Sequence, residues 1–275
     1  MIDFLRIDDA EISYTDSGGD GAPLLLIHAA GSGDWFTPLA ATPELYGYRV
    51  IRMVRAGYTG TPAPAGLTIG DHAGHAAALL RHLDAAPAHV LAHSSGTTIA
   101  FQLAFDHPEL VRTLLLSEPP LLEALADPKD LDVIGATLGA AIGAAMGATA
   151  RGDLPAAFDL FMTGVCGPAY RQAMTEALGA DLVSQAEDRC RYLFTDEIPA
   201  LGAWTFTPEA AARLHPPVIL IQGSASPPPF HRLIARLATL IPGATTATIA
   251  GGDHLYPFTA PKDLAKLITN LCATP

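Results

Sequence analysis

Short apolar runs alternate with amphipathic stretches along most of the chain. Residues 5–7 and 11–15 read as two short strands joined around Asp8 and Asp9 and followed by the turn Asp16-Ser17-Gly18-Gly19, so a hairpin opens the fold. Residues 24–28 are almost wholly apolar, as in a strand covered on both faces, and run into the small-residue loop Ala29-Ala30-Gly31-Ser32-Gly33. Residues 49–53 predict the next strand, with a glycine-bearing turn from Arg55 through Gly57 and Tyr58 to Gly60 beyond it. Thr68-Ile69-Gly70-Asp71 has the form of a capping box, opening a helix with apolar positions at Ala76, Leu79, Leu80 and Leu83. Residues 90–105 read as a strand, a tight turn and a helix. Residues 113–117, 218–222 and 246–249 supply further strands, with helices at about 231–240 and after Pro261.

Strands that alternate with helices in this way predict an α/β fold with a mostly parallel, doubly wound sheet. One long interruption, residues 121–214, has helical patterns and no convincing strand. It predicts a helical cap inserted between strands six and seven, leaving residues 1–120 and 215–275 as the core domain. Within the cap, residues 133–150 carry no charge, and Gly135, Gly139, Gly143 and Gly147 recur on one helical face. That spacing suits either a membrane span or a surface for helix pairing. The run is mainly Ala and Gly, too weakly apolar to draw a helix into lipid. Each interior glycine also costs a helix about 0.8–1 kcal/mol relative to alanine, so the expectation is a close-packed or pliable lid helix.

Composition narrows the partners. A formal net charge of -12 on 275 residues argues against nucleic acid, which needs clustered Lys and Arg to displace counterions from phosphates. Cys166, Cys190 and Cys272 are odd in number and lack a C-x-x-C spacing, so neither a disulfide framework nor a zinc site is expected. The amino terminus has no basic segment followed by a long apolar one, so a cytoplasmic protein with a small-molecule substrate is expected, without membrane attachment. Self-association as a homodimer stays open.

The chemistry centres on Ala92-His93-Ser94-Ser95-Gly96, where small residues flank Ser94 two positions away on each side. This is the spacing of a nucleophile elbow, a sharp strand-to-helix turn that lifts the serine hydroxyl away from the backbone. A serine needs a neighbouring base oriented by a third group. His254 follows a strand and the turn Ala250-Gly251-Gly252-Asp253, so it hangs from a loop at the same sheet edge as Ser94. His28 is expected to bond loop backbone, and His93 to turn away from the nucleophile. His72 and His75 have the spacing for a metal but no third ligand nearby, so no metal or cofactor is expected. The backbone N–H groups of Ala30 and Ser95 form the natural pair for an oxyanion hole.

These features, taken in order, resemble the α/β-hydrolase superfamily across almost the whole chain. They are His28 to Gly33 with Trp35, then Arg55-Ala56-Gly57-Tyr58, the elbow, and Gly251-Gly252-Asp253-His254 followed by Pro257 and Pro261. The sequence departs from the family at two points. The usual His-Gly of the oxyanion loop is His28-Ala29. The Gly-x-x-Asp-Pro segment that commonly carries the triad acid after the seventh strand is Gly223-Ser224-Ala225-Ser226-Pro227, and Ser226 cannot act as a carboxylate. Some members instead place the acid after the sixth strand, where this chain has Glu118. Dehalogenases and epoxide hydrolases of the family use an Asp nucleophile, and Ser94 argues against both activities.

The resemblance implies a cofactor-independent serine hydrolase for a small, mostly apolar ester, lactone or other acyl compound, with Ser94, His254 and Glu118 as the catalytic triad. Trp35, Tyr58, Trp204 and Phe206 are candidates for the pocket wall. The same scaffold supports other chemistry. Carbon-carbon bond hydrolysis, a lyase or cyclase reaction, and ligand binding with little turnover therefore stay open.

Overall fold

In the computed structural model, which describes residues 1–124 and 128–272, the opening hairpin forms where its alternating pattern places it. β1 (Asp3–Ile7) pairs antiparallel with β2 (Ala10–Asp16) in the register Asp3↔Tyr14 to Ile7↔Ala10. The remaining strands are β3 (Ala22–Ile27), β4 (Tyr48–Val54), β5 (Ala88–His93), β6 (Val111–Ser117), β7 (Val218–Gly223) and β8 (Thr245–Ile249). They complete one eight-stranded sheet in the order β1-β2-β4-β3-β5-β6-β7-β8. β2 meets β4 antiparallel, and every pairing from β4 to β8 is parallel.

The apolar run of β3 follows from its position between two helical layers. Leu25 and Ile27 face the cluster that includes Leu79 and Leu80 of the helix Ile69–His82 and Phe101 of the helix Gly96–Asp106. Leu24 and Leu26 face the opposite cluster with Phe36, Leu39 and Ile268 of the helix Pro261–Cys272. A strand covered on both sides has no position for a polar residue, so alternation is lost. The capping box also forms, with Thr68 and Asp71 each accepting from the other's backbone N–H. Because β3 to β8 run in one direction, the loops after them gather at a single sheet edge.

Between β6 and β7 the described residues contain helices and no strand; residues 125–127, within the expected cap, lie outside the described residues. The cap is built mainly from Pro128–Ala150, Leu154–Cys166, Tyr170–Leu178 and Ala180–Arg189. Its apolar cluster, including Ala145, Phe158, Met162 and Phe194, is continuous with Ala29, Ala30, Trp35 and Leu255 of the core. The cap therefore sits over the loops at the carboxyl ends of the strands.

The long helix differs from expectation in one respect. Among the described residues, added Cβ atoms at Gly135, Gly139 and Gly143 would meet nothing within 4 Å, so these glycines pack against none of them. The helix packs instead through Ala145, Ala148 and Thr149, and through Ala141, which abuts Gly164 of the next helix. Residues 135–139 form a π-helical segment, a local widening that glycine accommodates readily. By length and composition the 23-residue helix Pro128–Ala150 could cross a membrane. In this fold its second half packs against the helix Leu154–Cys166, which follows it.

Candidate active site

Ser94 stands in the turn between β5 and the helix Gly96–Asp106, with φ of 49°. A serine in this left-handed region is strained, and the surrounding bonds hold it there. Its N–H donates to Ser117 O of β6 at 2.8 Å, and its carbonyl accepts from Thr97 N and Thr97 Oγ1 at 2.9 and 2.6 Å. Gly96 is required for a different reason: a Cβ there would lie 2.6 Å from His28 O and 2.7 Å from Ile27 O. Only glycine lets the helix start so close to the end of β3.

Glu118 is the second strained residue, with φ of 48° directly after β6. Its N–H bonds Ile221 O at 2.9 Å, which fixes it between β6 and β7. Glu118 Oε2 accepts from His254 Nδ1 at 2.6 Å, while Oε1 accepts from Gly223 N at 3.0 Å and from the Ser226 hydroxyl. Burial opposes ionisation of this carboxyl. The bond and charge of His254, with the Gly223 and Ser226 donors, outweigh it and hold the group at about 2. The other acids near the site are engaged elsewhere. Asp253 Oδ1 accepts from Leu255 N, Asp196 Oδ1 accepts from Gly66 N, and Glu197 lies in a separate cluster. Among the described residues no hydrogen bond joins Ser94 Oγ to His254.

The backbone of His254 is held from below by His93. A carbonyl can only accept, so His93 Nε2–H donates to His254 O at 3.0 Å. Burial, then the neighbouring His254, push the His93 ring down to about 3, so it is neutral at physiological pH. Its Nδ1 therefore accepts from the Ser117 hydroxyl at 2.7 Å, and Ser117 accepts from Tyr256 OH. The two imidazoles lie 4.5 Å apart between centroids. Trp35 packs behind them, 4.9 Å from His93 and 6.1 Å from His254, with Nε1 donating to Ala30 O at 2.8 Å. Sequence reasoning placed the His93 ring away from Ser94 but had no signal for Ser117 or Tyr256, which act through tertiary contacts.

His28 braces the loop that follows β3. Its Nε2 accepts from Arg55 N at 3.1 Å, so the ring proton sits on Nδ1 and is donated to Ala29 O at 2.7 Å. Burial, reinforced by the Arg55 charge, keeps this ring well below the usual histidine range. No acceptor among the described residues takes the N–H of Ala30 or of Ser95. Met162 Sδ and Phe158 Cε2 come within 3.1 and 3.7 Å of a Cβ placed on Gly31, so the cap forms an apolar roof here. Neither cap residue was singled out from the sequence, because an apolar cap helix gives no sign of which side chains face the core.

Tyr58, expected in the pocket wall, is buried with its hydroxyl bonded to Glu197 and accepting from Gly31 N at 3.3 Å. Trp204 and Phe206 sit elsewhere than that expectation placed them. Both pack along the helix Gly96–Asp106, with Phe206 4.8 Å from Phe101 and Trp204 Nε1 bonded to Gln102 Oε1. Those partners are about one and a half turns or more beyond the nucleophile turn, so the two rings anchor the returning chain to the core. His72 Nε2 bonds Tyr192 OH at 2.9 Å, and no cluster of three metal-ligating side chains occurs among the described residues.

Residues 24–267 match the Alpha/beta hydrolase family, and the chain belongs to it. Among solved structures, an alpha/beta hydrolase from Sphaerobacter thermophilus DSM 20745 superposes with a TM-score of 0.75 at 22% identity, covering 98% of this chain and 100% of that one. The enol-lactonase from Burkholderia xenovorans LB400 gives 0.74 at 18% identity, with coverage of 98% and 100%. In sequence, 2-hydroxymuconate semialdehyde hydrolase of Pseudomonas sp. (strain CF600) is 39% identical over 106 residues, 37% of this chain and 37% of that protein. The matches with the curated relatives span 31% to 45% of those proteins' length. The chain thus belongs to the alpha/beta hydrolase family and has its fold.

Proposed function

We propose that this alpha/beta hydrolase is a serine hydrolase that cleaves a small, mostly apolar ester, lactone or other acyl compound through an acyl-enzyme on Ser94. The observation that carries the reading is the 2.6 Å bond from His254 Nδ1 to a fully ionised, buried Glu118, at the sheet edge where the strained elbow presents Ser94. With Nδ1 engaged, Nε2 is the nitrogen left to accept a proton. Ser94 Oγ attacks the acyl carbon as His254 takes the hydroxyl proton. The carbonyl electron pair moves onto an oxyanion held by the Ala30 and Ser95 N–H groups. Collapse breaks the bond to the leaving oxygen, which receives the proton from His254. Water then repeats the sequence on the acyl-enzyme and regenerates Ser94. The apolar roof of Phe158 and Met162 supports a substrate with an apolar acyl portion.

A fluorophosphonate label tests the nucleophile directly. Labelling of the wild type that disappears in Ser94→Ala is the expected result, and an unlabelled wild type would count against the mechanism. A panel of nitrophenyl esters of increasing chain length then places the acyl group. A second reading, carbon-carbon bond hydrolysis in the same pocket, draws support from the 39% match to a protein whose name specifies a semialdehyde rather than an ester. Ester turnover absent from a protein that still takes the label would favour it.

A further inference from the structure

Glu197 enters the core from the cap and is almost wholly inaccessible to solvent. Its Oε1 accepts from Ser95 Oγ and from Arg55 Nη2, each at 2.9 Å, and its Oε2 accepts from the Tyr58 hydroxyl. Two of these contacts lead to the proposed oxyanion donors. Ser95 itself carries one donor N–H. Tyr58 oxygen receives Gly31 N at 3.3 Å, and Gly31 directly follows Ala30, which carries the other. One carboxylate from the cap thus touches one arm of the hole and reaches the other through Tyr58.

An ordinary buried ion pair does not account for this arrangement. Arginine–carboxylate pairs are frequently joined through two parallel bonds, whereas here only Arg55 Nη2 reaches Glu197. Its Nε and Nη1 are buried with no partner among the described residues. The remaining capacity of Glu197 goes to the two hydroxyls. Ser95 correspondingly does not cap the helix whose start it occupies, because its hydroxyl is turned to Glu197.

We propose that Glu197 is a positioning residue that makes the oxyanion hole depend on the cap: with the cap seated, its carboxylate sets Ser95 directly and the Ala30-Gly31 turn through Tyr58. The inference rests on the serine-hydrolase reading. Glu197 also lies among cap residues that grip the same core segment, since Tyr192 packs on Gly57 and Arg189 on Gly60. Seating the cap and setting the hole are therefore one event.

The test compares kcat, KM and the inhibition constant of an aryl boronic acid, whose tetrahedral serine adduct uses the hole, in Glu197→Gln, Ser95→Ala and Tyr58→Phe. The single-hydroxyl variants should lose about 10-fold in kcat and Glu197→Gln about 100-fold, below or near the loss on removing an oxyanion donor outright. KM should stay within about threefold, boronate binding should weaken in step with kcat, and Ser95→Ala should cost little more once Glu197→Gln is present. A purely structural role would lower the melting temperature and leave kcat per folded molecule unchanged. If Glu197→Gln does not fold, the two hydroxyl variants decide. Folded Ser95→Ala and Tyr58→Phe proteins with kcat and boronate affinity within about twofold of wild type would overturn the proposal. A wild type that takes neither fluorophosphonate nor boronate would instead overturn the serine-hydrolase reading, and this inference with it.

Discussion

Ser226 donates its hydroxyl to Glu118, the carboxylate whose other oxygen holds His254. Ser226 stands where the sequence has no carboxylate after β7, and Glu118, directly after β6, is the acid of the proposed triad. The loop after β7 still contributes, through Gly223 N and Ser226 Oγ, by fixing that carboxylate. His231 steadies that loop in turn, with Nε2 on Ser226 O at 2.7 Å and Nδ1 on Gln222 Oε1 at 3.0 Å.

Replacing Glu118 with Gln is expected to preserve the fold and lower kcat by about 10³- to 10⁴-fold, the scale seen when a triad acid becomes an amide. Ser226→Ala removes only one of three donors to the carboxylate, and about a 10-fold loss is expected, equivalent to ~1.4 kcal/mol. Steady-state kinetics on the best nitrophenyl ester check both. Equal losses in the two variants would mean that Ser226 does more than orient the acid.

Acid stability should carry the signature of the same carboxylate. The folded value of about 2 lies below the ordinary 4.5, so the unfolded chain takes up the proton first as pH falls. The stabilisation is complete above pH 4.5 and drains away between 4.5 and 2. Urea unfolding across that window should show a steeper loss for the wild type than for Glu118→Gln. The difference approaches one proton, ~1.4 kcal/mol per pH unit at its steepest. Parallel curves would mean that Glu118 gains nothing on folding.

Two glycines should resist substitution for different reasons. Gly96→Ala drives a methyl against the carbonyls of Ile27 and His28, which are backbone and cannot rotate aside. A destabilisation of about 1–3 kcal/mol is expected, with loss of activity as the elbow is displaced. Gly57 has φ of 87° and faces the Tyr192 ring, so Gly57→Ala combines backbone strain with displacement of the cap. Its expected result is faster proteolysis within the cap at a lower denaturant concentration than the core requires. Wild-type stability in either variant would contradict the close contacts.

The long cap helix should respond in the opposite direction. Gly139 and Gly143 have open space where a methyl would sit, so Gly139→Ala with Gly143→Ala should raise stability by up to about 1 kcal/mol per site. If bending at the π-helical segment admits substrate, the same change should narrow selectivity across the ester panel without loss of fold. Thermal melts and the panel together separate the two effects.

Local pattern determined a large part of this protein. Doubly covered strands must be apolar, turns need glycine, and a capping box announces its helix, so the strand order along the chain, the elbow at Ser94 and the helical insertion were all legible. The place of Glu118 beside His254 was legible too, because a carboxylate at the end of a parallel strand has few places to go except the shared edge. Tertiary structure decided what depends on side chains distant in sequence meeting. Trp204 and Phe206 read as pocket aromatics, yet their rings fill the groove along Phe101 and Phe105. The glycine face read equally as lid or packing surface until the fold left it open among the described residues. The partners of Glu197 gave no signal in the sequence. An acid in a cap helix is ordinarily solvated, and only the docking of that helix onto Arg55, Tyr58 and Ser95, 142, 139 and 102 residues away, removes it from water and gives its charge partners.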